Sequence, residues 1–200
     1  YLSVAQNVNR GAPYMSVSGG PTENALLSYF GRLQYDFREK YLLNITFRSD
    51  GSSRFAPGHR WGYFPSVSAG WVTTMEDFMQ GAHWLNFLKI RGSWGRVGNQ
   101  NVAAYQYLSP ISFSNTAYIF GPVEGANTQG AFPSRIANPD VKWETSEQTN
   151  IGFDATVLKN LNITFDYYNK KTKDWLITVP ILATAGADAP LINGGDVTNK

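Results

Sequence analysis

The 200-residue chain contains no cysteine and only two histidines, His59 and His83. The absence of cysteine excludes disulfides, thiolate metal ligands and cysteine nucleophiles. The sequence also lacks a GxSxG, an HExxH and a phosphate-binding glycine loop. Glu144 and Glu147 alternate to opposite sides of one predicted strand, so they do not form a catalytic pair. We therefore expect no enzyme activity, no metal site and no cofactor.

Long apolar runs and a strong net charge are missing as well. No stretch approaches 18 consecutive apolar residues, and no basic segment followed by an apolar one opens the chain. The sequence therefore predicts no transmembrane helix. We expect a chain that is cut at both ends, so the missing leader segment carries no weight. The formal net charge is only +2, which does not indicate a surface that binds nucleic acid.

The sequence is rich in aromatic residues, and its apolar and polar residues alternate strictly. It holds 6 Trp, 11 Tyr and 12 Phe, and the pentapeptide LNITF occurs at 43–47 and at 161–165. Apolar and polar residues alternate from these pentapeptides outward, which is typical of strands with two different faces. Six strands are predicted, over residues 27–37, 41–50, 64–73, 87–97, 143–157 and from 161 onward.

Charge placement and strand length favour a membrane wall over a soluble sheet. The charged residues near mid-strand all fall on the polar side of the alternation: Arg32, Asp36, Arg48, Asp154 and Asp166. A cation on a lipid-facing position costs roughly 2–4 kcal/mol at mid-depth, so a membrane enforces this segregation. Ten residues extend about 33 Å, and a tilt of about 40° reduces this to the roughly 25 Å of an apolar band.

Short and long connections alternate along the chain. Compact links are predicted at 38–40, 74–86 and 158–160, and long segments at 51–63, 98–142 and from 173 onward. All short links then lie at one end of the strands, as in outer-membrane barrels with short periplasmic turns and long extracellular loops. The prediction is an all-β, antiparallel, up-and-down transmembrane β-barrel segment of about six strands, which must belong to a larger barrel.

Six sequence blocks carry a family resemblance. They are GRLQY at 31–35, RSDGSSRF at 48–55, WGYFPSVSAGW at 61–71, LKIRGSWG at 88–95 with GN at 98–99, NPDVKWE at 138–144 and DYYNKKTKD at 166–174. In this order the sequence resembles the SusC/RagA-like branch of TonB-dependent outer-membrane transporters. The resemblance implies that residues 1–200 are part of one barrel domain, with the plug, the TonB-contacting segment and the barrel end elsewhere.

The same resemblance implies a function in the cell outer membrane. It is active import of a large solute, an oligosaccharide or a peptide, under a SusD-like surface lipoprotein and with energy from TonB, ExbB and ExbD. Two alternatives remain open at this point. A secreted β-rich carbohydrate-binding module would account for the aromatic content, and a passive porin would have the same wall chemistry without a plug.

Candidate contact residues fall in three places. The 51–63 loop is interpreted as a folded latch with Asp50 paired to Arg54, and Arg60 and Trp61 are its candidates for solute contact. Loops as long as 98–142 are usually functional, and its aromatic residues could contact a solute or a partner: Tyr105, Tyr107, Tyr118 and Phe120. The lumen-facing charges that we expect to brace a plug are Arg32, Arg48, Asp154 and Asp166.

Overall fold

The computed structural model of the chain describes residues 23–113 and 130–200 in full. It also gives the backbone of four short strands, which pair as Ser3–Ala5 with Ser16–Ser18 and Ala117–Ile119 with Asn127–Gln129. Among these described residues, no helix has the length and apolar character needed to cross a membrane.

One antiparallel sheet dominates the structure. Its strands are β1 (Leu26–Phe37), β2 (Tyr41–Ser52), β3 (Trp61–Val72), β4 (Leu85–Asn99), β5 (Glu144–Val157), β6 (Leu161–Lys173) and β7 (Val197–Asn199). Each strand pairs with the next along the chain, which is up-and-down topology. The six predicted strands are confirmed, and β7 adds a seventh that pairs only with the loop-proximal end of β6.

The connections alternate in length as predicted. Two hairpins of the sheet turn through consecutive residues with positive φ, Arg38 and Glu39 in one and Leu158 and Lys159 in the other. This backbone twist matches that of the flanking strands. Two 3₁₀ turns, Thr73–Met75 and Asp77–Met79, make the compact link from β3 to β4.

The pairing register aligns the apolar residues of neighbouring strands. One row runs through Phe37, Tyr41, Trp71, Ile90, Phe153 and Phe165, and another through Leu33, Ile45, Val67 and Trp94. This side of the sheet, the apolar face, is exposed: Leu33 is 60% and Phe165 54% accessible. On the opposite side, the polar face, one row reads Gln34, Asn44, Ser68, Ser93 and Asn150.

Buried apolar residues lie mainly beside the long loops. Five of them form a single group, the loop-floor cluster: Phe55, Phe64, Val102, Val141 and Trp143. Phe64 lies on the polar face of β3, where it pairs with Arg48 of β2. A compact soluble sandwich would bury one whole face of the sheet, and here the large side chains of the apolar face are left uncovered.

The long segments contain small strands of their own. Ile111–Ser112 pairs with Phe132–Pro133, and Leu176–Thr178 pairs with Leu191–Asn193. A 3₁₀ turn covers Ala183–Ala185. Leu176 and Leu191 also pack against the loop-floor cluster, so the segment after β6 rests on the same floor as the segment before β5.

Candidate functional site

One arginine on the polar face, Arg91, has two carboxylate partners. Arg91 Nε donates to Asp154 Oδ2 at 3.1 Å, and its Nη2 donates to Asp166 Oδ2 at 2.8 Å. The register puts Gly152 of β5 between Arg91 of β4 and Asp166 of β6. A Cβ at Gly152 would lie 2.5 Å from the Phe165 carbonyl oxygen and 2.6 Å from Asp166 Oδ1. The missing side chain therefore lets the guanidinium span two strands.

Arg91 was not among the predicted site residues. Alternation placed it on the polar side of its strand, but only the register of three strands shows that it meets both Asp154 and Asp166. Sequence reasoning identified the two carboxylates and missed the cation that joins them. An arginine one residue from the strand centre in a LKIRGSWG block was the available signal.

The other predicted lumen-facing residues also lie on the polar face. Arg48 Nε donates to both oxygens of the buried Asp50, at 2.8 and 2.7 Å. This corrects the predicted Asp50–Arg54 pair, because residues two apart in a strand share a face and Arg54 lies beyond the end of β2. Arg32 is exposed and makes no hydrogen bond or ion pair with the residues described.

A groove of about 580 Å³ opens on the polar face. Its polar lining comes from five strands and includes Gln34, Asp36, Asn44, Ser68, Lys89, Arg91, Ser93 and Asn150. Asn44 Oδ1 is buried and has no hydrogen-bond partner among the described residues. The groove thus offers an acceptor that a donor from another segment would satisfy. No group of three or more His, Asp or Glu side chains there, or elsewhere in the described part, could hold a metal ion.

The loop from 53 to 60 has the character of the predicted latch. Phe55 is fully buried and packs against Trp143 with ring centroids 5.2 Å apart and the ring planes tilted by 37°. Arg54 Nη1 donates to the carbonyl of Val102 at 2.9 Å. Gly58 makes its turn with φ of +98°. The latch holds the start of the segment that follows β4.

Arg60 and Trp61 lie in different surroundings. Arg60 Nε donates to the Phe55 carbonyl at 3.3 Å, and the Arg60 carbonyl accepts the indole N–H of Trp143 at 2.9 Å. Trp61 lies on the apolar face, where its ring covers Gly51 and stacks on Tyr29 at 6.0 Å. The structure therefore separates these two candidates, one in the latch and one on the face opposite the charges.

Tyr105 and Tyr107 are brought together. Their ring centroids lie 6.5 Å apart, and Tyr105 is 53% exposed with φ of +60°. The backbone of Tyr118 lies in the strand Ala117–Ile119, but its side chain is outside the described residues, as is all of Phe120. Contact by these last two stays a prediction.

Each edge of the apolar face carries a carboxylate that fixes aromatic side chains. Near the short turns, Glu76 accepts from Tyr41 Oη at 2.7 Å, Trp71 Nε1 at 3.2 Å and Lys40 Nζ at 3.3 Å. The bond from Tyr41, followed by that from Trp71, holds the pKa of the Glu76 carboxyl below its usual value. Near the long loops, Glu147 accepts from Trp94 Nε1 at 2.8 Å. Trp and Tyr bonded this way suit the two interfaces of a membrane.

Comparison with known protein families gives a match along almost the whole chain. The family described as "TonB dependent receptor-like, beta-barrel" matches residues 3–200. TonB-dependent receptor P3 of Formosa agariphila is 33% identical over 196 residues, which are 98% of this chain and 19% of that protein. TonB-dependent receptor SusC of Bacteroides thetaiotaomicron is 39% identical over 165 residues, 80% of this chain and 16% of SusC.

Solved structures give the same result. The RagAB peptide importer in its closed-closed state matches with a TM-score of 0.74 and 30% identity, covering 94% of this chain and 20% of that chain. Its open-open state also matches with a TM-score of 0.74. The chain spans about a fifth of the length of the relatives that it matches.

Proposed function

Because the chain belongs to the TonB-dependent receptor-like β-barrel family, we propose that it forms wall and external loops of an active importer for a large solute. The SusC/RagA-like resemblance seen in the sequence is thereby confirmed, and the chain is an outer-membrane protein. The family is one of transporters and receptors. The solute in this proposal is an oligosaccharide or a peptide: the sequence resemblance implies either, and one structural relative is described as a peptide importer.

The observation that carries the proposal is the continuous apolar face over six long strands. Its rows of exposed Leu, Ile, Val, Phe and Trp have no covering layer among the described residues. Lipid is the solvent that such a surface needs, because contiguous apolar patches of this extent are rare on soluble monomers. This observation also disfavours a secreted carbohydrate-binding module.

We place the plug against the polar face. Arg32, Arg48, Asp154 and Asp166 all lie there, and the groove on the same face holds the unsatisfied Asn44 Oδ1. A buried acceptor without a partner costs about 1–3 kcal/mol. A backbone N–H from a plug segment in the groove would remove this cost, and the charged groups would fix its orientation.

Solute contact is assigned to the long loops. Tyr105 and Tyr107 offer neighbouring rings that can stack on sugar rings or peptide side chains. Tyr118 and Phe120 of the same segment belong to the proposal, and Arg60 and Trp61 are weaker candidates given their places in the latch and on the apolar face. The proposal also includes a SusD-like lipoprotein that acts as a lid, and energy supplied by TonB, ExbB and ExbD.

Uptake by cells that carry the full-length receptor tests this function. Cells with and without the receptor are given a fluorescein-labelled glucose heptamer and a fluorescein-labelled decapeptide, each with and without a protonophore. We expect receptor-dependent uptake of one probe that the protonophore abolishes, because TonB draws on the inner-membrane proton gradient. Receptor-dependent uptake that the protonophore leaves unchanged would indicate a passive porin.

A further inference from the structure

A single short segment, residues 100–108, carries the exposed Tyr105 and the half-buried Tyr107 and is held through its main-chain carbonyls by two arginines. The arginines come from different parts of the chain, Arg54 from the latch and Arg135 from the far side of the long loop. Neither was among the predicted contact residues. What they hold is the backbone, so their effect on a solute is indirect.

Arg54 holds the beginning of the segment. Its Nη1 donates to the carbonyls of Val102 at 2.9 Å and Gln100 at 3.4 Å. Its own position is fixed, because its backbone N–H donates to Ser52 Oγ at 3.2 Å and the next residue, Phe55, is buried in the loop-floor cluster. Val102 belongs to the same cluster, so the segment is fastened there by packing and by a charged donor.

Arg135 holds the end of the segment. Its Nη2 lies 3.4 Å from the carbonyl oxygen of Tyr105 and 3.3 Å from that of Leu108. The backbone around Arg135 is tied down in turn, since Ile136 N–H donates to the Asp188 carbonyl at 3.1 Å. The two arginines therefore connect the segment to the latch on one side and to the region after β6 on the other.

The backbone conformation of Tyr105 indicates what the two arginines do. A tyrosine in the left-handed region, here with φ of +60°, costs free energy and persists only where its surroundings determine the backbone. A guanidinium suits this task because each terminal nitrogen holds two N–H donors in a fixed plane, so that Nη1 of Arg54 and Nη2 of Arg135 each reach two carbonyls. The ammonium of a lysine is on a flexible stem and is less preorganised for such a pair of bonds. Fixing the backbone in advance also lowers the ordering cost of binding.

We propose that Arg54 and Arg135 are positioning residues, which hold Tyr105 and Tyr107 in place for contact with a ring-bearing solute. This inference rests on the proposed import function. It adds that solute selectivity depends on residues that never touch the solute. The latch then has a role beyond closing a hairpin, because it sets the geometry of the neighbouring loop.

The test uses the full-length receptor with Arg54→Lys, Arg135→Lys and the control Arg96→Lys. Arg96 is the matched control because it lies near the same end of the sheet, donates to the Glu147 carboxylate at 3.5 Å and makes no hydrogen bond with residues 100–108 among the residues described. Hydrogen–deuterium exchange of the 100–108 segment is measured first. We expect exchange about tenfold faster for the Arg54 and Arg135 variants and unchanged for the control, since bonds to charged donors are the stronger ones.

Uptake of the labelled heptamer and decapeptide is then measured as a function of concentration. A positioning role raises the half-saturating concentration about tenfold with the maximal rate retained, whereas a loss of folded receptor lowers the maximal rate alone. Unchanged exchange in both variants would contradict the claim that the two arginines hold residues 100–108. Faster exchange with an unchanged half-saturating concentration would contradict their effect on the solute. If neither probe enters wild-type cells, the import proposal fails, and the exchange result still decides whether the arginines hold the segment.

Discussion

The two faces of the sheet are built from different kinds of interaction. The apolar face consists of rows such as Leu33, Ile45 and Val67, in which any apolar side chain of suitable size would serve. The polar face depends on individual geometry, such as the reach of Arg91 across Gly152 to Asp166. Contact with lipid requires only that a side chain is apolar. Contact within a filled barrel interior requires particular pairs of side chains. The apolar face therefore tolerates exchange within its class, and the polar face does not.

The largest effect is expected in the loop-floor cluster, which Phe64 connects to the polar face. Phe55→Ala removes a fully buried ring that packs on Trp143, and such truncations cost about 3–5 kcal/mol. Unfolding of the full-length receptor, followed by denaturant titration in lipid vesicles, measures the loss. Phe78→Ala is the control, because Phe78 is an exposed aromatic near the short turns. Equal losses in the two variants would contradict the assignment of the cluster as the local core.

A charge placed on either face separates the two directly. Leu33→Arg puts a cation on the apolar face of β1, and we expect it to destabilise the inserted receptor by about 2–4 kcal/mol. Gln34→Arg puts the same group on the next residue, on the polar face, where the cost of lipid exposure does not arise. The same vesicle titration compares them. A cost at residue 34 equal to that at residue 33 would remove the distinction between the faces.

A methyl group at one glycine probes the geometry of the polar face. Gly152→Ala brings a Cβ within 2.6 Å of Asp166 Oδ1 and 2.5 Å of a backbone oxygen, so the strand or the carboxylate must move. Overpacking of this kind costs roughly 1–3 kcal/mol. Gly31→Ala is the matched control, because a Cβ there meets nothing within 4 Å. Equal stability of the two alanine variants would show that Arg91 does not need the gap.

The smallest effect concerns the edge of the apolar face, and it depends on pH. The pKa of Glu76 is lowered from 4.5 by its bond from Tyr41 and then by that from Trp71. Folding therefore gains from ionised Glu76 at pH above about 4.5, and the gain disappears as the pH falls through the lowered pKa. Glu76→Gln should reduce stability at about pH 7, and the deficit should be smaller at about pH 3, because protonation of the carboxyl removes the gain as the pH falls. A deficit that is the same at both pH values would exclude the ionised carboxylate as its cause.

The success of the sequence predictions also differs between the two faces of the sheet. Alternation along each strand was enough to find β1 to β6 and to assign their faces, since this information is local. It missed β7, because the three residues of Val197–Asn199 give no alternation to read. It also paired Asp50 with Arg54, where the structure pairs Asp50 with Arg48. Side-chain partners on the polar face depend on register and on where a strand ends, and neither can be read within one strand.

The loop-floor cluster could not be predicted from the sequence. Trp143 bonds to the carbonyl of Arg60, 83 residues earlier in the chain, and Phe55 meets Val102 and Val141 from two other segments. No local pattern distinguishes these residues from other aromatic and aliphatic loop residues. The sequence did predict that the 51–63 loop is a latch, but not what the latch holds. Arg54 and its carbonyl partners on residues 100–108 became visible only in three dimensions.

Lipid accessibility along β2 tests the division into two faces most directly. The 200-residue chain contains no cysteine, so single cysteines at residues 43 to 48 of the full-length receptor can each carry a fluorescent label, after any cysteine elsewhere in it is replaced. In vesicles, labels at 43, 45 and 47 should be quenched by a lipid-borne nitroxide, and labels at 44, 46 and 48 should not. Quenching that is uniform along the strand, or strongest at the even positions, would contradict an apolar face in lipid and a polar face in the barrel interior.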